Sequence, residues 1–319
     1  MNEIWGAEQV GIIWNWCIAL YLFLAGLSSG AIMCALSIEW LNPKQSKPWD
    51  AFVEAGVLLA PLSIIVGLGL LVLDLTKPLN FYQLLITYNF SSVMSLGVLL
   101  LLVYTPLCVV YALLRFRERL ESSPLGSLMK AFGGLLDWLE GKSLWLGRAI
   151  FVLAAGVGVY TGFLLSAIQT YPLFNTPLLP ILFLASGISS GIAACVMVGL
   201  LCFSKEVSKE NTKLLLSADL RVIPIEFLLL FALFVGLYFQ GGEKAIVALT
   251  SLSSGVWAGV FWLGVIGIGV LAPSLIAVTA LKNHAYKVNF ILLNSACVLL
   301  GVLALRFFIV YAGQIHVGL

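Results

Sequence analysis

The chain has 319 residues, 61% of them hydrophobic and only 10% charged. So few charges cannot cover the surface of an ordinary soluble domain of this length, so that class is excluded. The formal net charge of +2 is too small, and the basic residues too dispersed, for nucleic-acid binding.

The first ten residues carry Glu3 and Glu8 and no lysine or arginine, so they lack the basic start of a cleaved signal peptide. Apolar runs then follow at Ile12 to Ile38, Val53 to Leu73, Ser91 to Leu114, Leu146 to Ala167, Leu178 to Phe203, Val222 to Phe239, Leu249 to Leu271 and Phe290 to Tyr311. About twenty helical residues cross a hydrocarbon core of about 30 Å, so each run is long enough to span. Lipid also demands helices here, because open strand edges would leave backbone groups unpaired. The expected fold is an all-α polytopic membrane protein with eight transmembrane helices in a single integral domain, residues 1–319. Helices 1–3 lie within 12–114, a link covers 115–145, helix 4 covers 146–167, and helices 5–8 lie within 178–311.

The links sort the charges. Lys44, Lys47, Arg115, Arg117, Arg119, Lys130, Lys142, Arg148, Lys205, Lys209, Lys213, Arg221, Lys282 and Lys287 all fall on one side. The other side holds Lys77 and Lys244, and Arg306 sits inside the last span. The positive-inside rule makes the first side cytoplasmic and places both termini outside it, in a bacterial inner membrane. The link 115–145 has Phe132, Leu135, Leu136 and Leu139 at helical spacing and is expected to include a short interfacial helix.

LFLAGLSSG at 22–30 is echoed by LFLASGISSG at 182–191, four spans later and in the same direction, which predicts two parallel-related four-helix halves. Gly26, Gly30, Gly187 and Gly191 form small faces suited to close helix approach.

Polar groups inside the spans carry the functional information. Asp74 ends the second span in DLTKP, followed by Lys77 and the aromatic segment NFYQLLITYNF, with Asn89 or Ser91 expected to start the third helix. Trp14, Asn15 and Trp16 stand at the same outer level, as do Ser92, Tyr160 and Thr161. Together they could line a pocket for an apolar ligand with a small polar head, or simply form an aromatic interface. Arg306 reads either as snorkelling to the outer headgroups or as paired internally. Glu226 lies inside the sixth span, after Asp219, Arg221 and Pro224, and is either a proton relay or a structural partner of Arg221 or another helix.

Metal and haem sites are not expected. Cys17, Cys34, Cys108, Cys195, Cys202 and Cys297 lie in or beside apolar segments without a CxxC pair, and the only histidines, His284 and His316, lie outside the long apolar runs.

The ordered strings WNWCIALYLFLAGLSSG, DLTKPLNFYQLL, YNFSSVMSLGV, YTGFLLSAIQTYP, LLPILFLASGISSG, FWLGVIGIGVLAP and LRFFIVYAGQ resemble the membrane subunits of polysulfide reductase and formate-dependent nitrite reductase, the NrfD/PsrC family, over essentially the whole chain. The nitrite-reductase branch looks nearest. The resemblance implies a quinol-oxidising subunit of a multisubunit respiratory oxidoreductase, with menaquinol as exchangeable substrate and no haem or iron–sulfur cluster of its own. It also implies a periplasmic four-cluster iron–sulfur partner, and beyond it a multihaem cytochrome nitrite reductase or a molybdopterin subunit. The quinone site it implies is external, among the first four helices, with Asn15, Tyr21, Asp74, Lys77, Ser92 and Tyr160 binding the headgroup. The carboxylates of Asp74 and Glu226 are then candidates for proton transfer. Ile18 and Tyr21 stand where some polysulfide reductase members carry asparagine and histidine. Two different classes stay open: a non-redox transporter, which the parallel halves would suit, and a passive membrane anchor.

Overall fold

The computed structural model describes residues 14–41, 50–75, 78–82, 86, 88–122, 133–203, 209–283 and 288–314, and every regular element among them is helical. Eight helices are long and apolar enough to cross a membrane. They are α1 (Trp16–Leu41), α2 (Ala51–Asp74), α3 (Val93–Arg115), α4 (Ser143–Ser166), α5 (Leu178–Cys202), α6 (Lys209–Gln240), α7 and α8 (Val288–Gly313). The seventh is continuous from Gly255–Gly259 through a π-helical stretch, Val260–Leu271, to Ala272–Asn283.

Helices α1 and α5 form the centre. α1 packs on α2, α4, α5 and α8, and α5 packs on α1, α2, α4, α6 and α8, while α3 leans on α2 and α4 at one rim and α7 on α8 at the other. Glycine makes the central crossing close: a Cβ on Gly30 would run into the Gly187 carbonyl, and one on Gly191 into the Gly30 backbone. With apolar lipid outside, close van der Waals packing of this kind is what holds spans together.

Two boundaries differ from the sequence expectation. α6 begins at Lys209, thirteen residues before the apolar run, because its polar first turns are buried in protein: Asn211 Nδ2 donates to Asp50 Oδ2 at 2.7 Å, and Leu215, Leu216 and Asp219 are buried beside it. The apolar run from Leu249 is divided. Gly242–Ser253 is a separate helix, bounded by Gly241 (φ 70°) before it and Gly255 (φ 78°) after it, and α7 starts only at Gly255. Left-handed backbone at those glycines stops one helix before the next can begin.

The lysine-rich end is laced by ion pairs. Arg115 meets Glu39 at 3.3 Å, and Arg119 meets the fully buried Glu54 at 2.8 Å. The link after α3 contains the expected short helix, Gly133–Glu140, whose Asp137 and Glu140 pair with Arg117. Phe132 and Lys130 lie outside the described residues. At the opposite end Gln314 accepts from the Trp14 amide at 2.7 Å and donates to the Trp14 carbonyl at 3.1 Å, tying the start of α1 to the end of α8.

Candidate functional site

The first cluster lies where α1 starts and α2 and α4 end. Asn15 Nδ2 reaches Asp74 Oδ1 at 3.4 Å, joining the start of α1 to the end of α2, and Cys17, half a turn further along α1, feels the same carboxylate. One turn deeper, Tyr21 is 1% exposed and its hydroxyl has no hydrogen-bond partner. A buried hydroxyl left this way costs about 1–3 kcal/mol, so the atom is suited to a ligand that brings the missing partner.

Tyr160 lies within electrostatic reach of Tyr21 and is itself nearly buried. Its phenol occupies the space that a Cβ on Gly97 would take, so α3 can approach α4 here only through a glycine. Ser92, directly before α3 and five residues before Gly97, is half-buried and makes no capping bond through its side chain. The third helix therefore starts at Val93, two to four residues later than expected. Asn89 instead organises the turn, accepting from the Ser91 amide at 3.1 Å and the Ser91 hydroxyl at 2.6 Å. Lys77 lies outside the described residues. Of the expected headgroup ligands, Asn15 and Asp74 form one pair and Tyr21 and Tyr160 another, at the same end of the bundle.

Glu226 belongs to a second cluster, deep between α5, α6 and α8. It is 6% exposed, with Oε1 unpartnered, and the groups whose charge it feels are Asp219 and Arg306. Arg221 is exposed on a different face of α6, so of the partners left open for Glu226 the nearby cation is Arg306 of another helix and not Arg221. Arg306 does not snorkel. It is fully buried, its Nη2 donates to the Phe183 carbonyl at 3.0 Å and to Ser186 Oγ at 2.7 Å, and its guanidinium lies 3.6 Å from the Phe183 ring centroid. The side chain fits because Gly26 and Gly187 leave room at the α1–α5 crossing, where a Cβ on Gly26 would stand 3.3 Å from Nη2.

Sequence reasoning misses most of this second cluster. Asp219 is hydrogen-bonded by Ser189 Oγ at 2.8 Å, with Asn294 close enough to influence its carboxyl, yet hydrophobicity places it in a link because the apolar run begins at Val222. The signal that could have found it is Asn294, an amide inside the last apolar run. Among the described residues no group of three or more histidine, cysteine or acidic side chains converges as a metal site would require.

Eight apolar spans with buried polar clusters at two depths define a multi-pass membrane protein with built internal sites. The family model described as "Polysulphide reductase, NrfD" matches residues 6–318, and the chain belongs to that family. It is similar to the C subunit of polysulfide reductase from Wolinella succinogenes, with 50% identity over the full length of both proteins. It is also similar to the NrfD homolog of Haemophilus influenzae and to NrfD of Escherichia coli, at 38% and 35% identity, each over 96% of both proteins. Of these three the polysulfide reductase subunit shares the most residues, so the expected lean toward the nitrite branch is not supported.

Proposed function

We propose that this chain is the quinol-oxidising membrane subunit of a respiratory reductase of the polysulfide type. The carrying observation is the buried, orphaned Tyr21 hydroxyl, within electrostatic reach of Tyr160 at the end of the bundle away from the lysine-rich links. Menaquinol, bound from the lipid, supplies the redox chemistry: two electrons and two protons leave it as it becomes the quinone. Tyr160 and Tyr21 hold its oxygens through their hydroxyls. Asn15, Lys77 and Ser92 supply further polar atoms, and Asp74, steered by Asn15, accepts a proton at its free oxygen. The electrons pass singly to an iron–sulfur cluster of a periplasmic partner, which serves a molybdopterin catalytic subunit. The two NrfD relatives favour a second reading, in which the same site feeds a multihaem nitrite reductase. The chain's own residues would act identically in both.

Orientation and internal symmetry belong to the same proposal. The sorting of 14 of 17 basic residues onto one side supports an inner-membrane protein with both termini periplasmic. The pairing of α1 with α2 and α4, matched by that of α5 with α6 and α8, supports two parallel-related halves. In that frame Glu226 lies between the cytoplasmic face and the quinol site, where its unpartnered oxygen suits a proton relay.

The test is menaquinol oxidation by the purified complex, comparing native protein with Tyr160→Phe and Asp74→Asn. Losing one hydrogen bond of about 1–1.5 kcal/mol predicts a fall of about 5–10-fold in turnover or quinol affinity. Unchanged kinetics in both variants, with assembly intact, would defeat this placement of the site.

A further inference from the structure

At the lysine-rich end, α4 begins on an exposed stripe in which cations alternate with indole rings. Lys142, directly before the first turn, is followed at three-residue intervals by Trp145 and Arg148, which sets all three on one side of the helix, and all three are exposed. Each cation stands over a tryptophan. Lys142 Nζ is 3.9 Å from the ring centroid of Trp138, in the short helix Gly133–Glu140, and Arg148 Cζ is 5.1 Å from that of Trp145. The same side of α4 then turns apolar: Val152 and Phe163, about two and five turns beyond Trp145, are exposed as well.

Among the described residues neither Lys142 nor Arg148 has an acidic partner. The carboxylates closest to them in sequence are engaged elsewhere, since Asp137 and Glu140 both pair with Arg117, which also takes Glu121. Arg115 and Arg119 are matched in turn by Glu39 and Glu54. The arginines at the foot of α3 are thus neutralised within the protein, whereas two positive charges stay open at the foot of α4. A ring face orients a cation and shields one side of it from water, but it leaves the charge in place.

A partner for this stripe needs an anionic head joined to an apolar body, because the cations stand at the end of a span whose exposed side runs on into hydrocarbon. An acidic soluble protein would meet only the charged end, and a free phosphate has no use for Val152 or Phe163. A phospholipid with a net negative headgroup meets both. Its phosphate lies between Lys142 and Arg148, whose planar guanidinium suits two phosphate oxygens, its glycerol covers Trp145, and an acyl chain follows α4 past Val152. A zwitterionic lipid brings a cation of its own, which Lys142 and Arg148 repel.

We propose that Lys142, Trp145 and Arg148, with Trp138, form a binding site for an anionic phospholipid at the foot of α4. The site holds in whichever leaflet that end lies and does not depend on the quinol reading. Native mass spectrometry of the purified, intact complex, equilibrated with equal amounts of phosphatidylglycerol and phosphatidylethanolamine, tests it. Preferential retention of phosphatidylglycerol is expected, weakened about fivefold in Lys142→Gln or Arg148→Gln and about thirtyfold in the double variant. Both side chains are exposed, so these variants should assemble normally. Lys213→Gln removes an exposed charge from α6 at the same end and should leave retention unchanged. Millimolar inorganic phosphate should not displace the lipid. Equal retention of the two lipids, retention unchanged in the double variant, an equal loss in Lys213→Gln, or displacement by phosphate would each overturn the site. Retention is read without turnover, so its failure and that of the quinol reading are separate results.

Discussion

Tyr160 owes its position to an atom that is missing from its neighbour. Gly97→Ala puts a methyl where the phenol lies, and a packed interior answers such an insertion with displaced side chains at a cost of about 1–3 kcal/mol. The expected outcome is a protein that still assembles, with lower thermal stability and quinol affinity reduced about tenfold. Gly69→Ala is the control, since a Cβ there meets nothing within 4 Å and should leave both measurements unchanged. Residues at this scale are unevenly legible in the sequence. Tyr160, Tyr21 and Asp74 stand out as polar groups at span ends, and the family strings draw attention to them. Gly97 does not, because one glycine among the thirty of this chain announces a close approach only when its neighbour is known. Asp219 is hidden by the convention that a carboxylate ends a span, whereas burial against α5 and α8 lets the helix run through it.

At the scale of elements, the α1–α5 crossing and the course of α6 do most to place the two clusters. Gly191→Ala would drive a methyl into the Gly30 backbone, which cannot yield as a side chain can. A loss of about 1–3 kcal/mol or more is expected in a detergent or thermal unfolding assay. Gly236→Ala, in open space on α6, should be neutral or gain up to about 1 kcal/mol from helix propensity. α6 has 32 residues and so is about 48 Å long, well beyond the hydrocarbon core. It carries Glu226 and Asp219 on one face, two turns apart, and joins the lysine-rich end to the middle of the bundle. For the relay, Glu226→Gln should abolish turnover-dependent proton uptake at the lysine-rich face of sealed vesicles while quinol oxidation persists. Uptake equal to that of the native protein would remove Glu226 from the path. The run of apolar residues predicts that a seventh span exists. Where it starts depends on the left-handed glycines 241 and 255, and its π-helical stretch packs on α8, where Gly269 meets Gly301. Hydrophobicity alone encodes neither.

For the molecule as a whole, the number of spans and the sorting of charge are the most legible features, because lipid imposes both on any polypeptide that crosses it. The orientation proposed from the charge pattern is open to a direct check. Alkaline phosphatase fused after residue 319 should be active, and a fluorescent protein that matures only in the cytoplasm should be dark there. The reverse result would invert the whole arrangement and put the quinol cluster on the other side. The contacts between distant spans are not legible, since a helix of uniform hydrophobicity does not say which of its faces meets protein.

The two hydrogen bonds between Gln314 and Trp14 span 300 positions of sequence. Residue 14 is therefore synthesised long before its partner, and the rim of the bundle beside Asn15 stays open until the final helix has left the ribosome and entered the membrane. Contacts so remote in sequence form late. An interrupted polypeptide would insert most of its helices and still lack a closed rim at this end of the bundle.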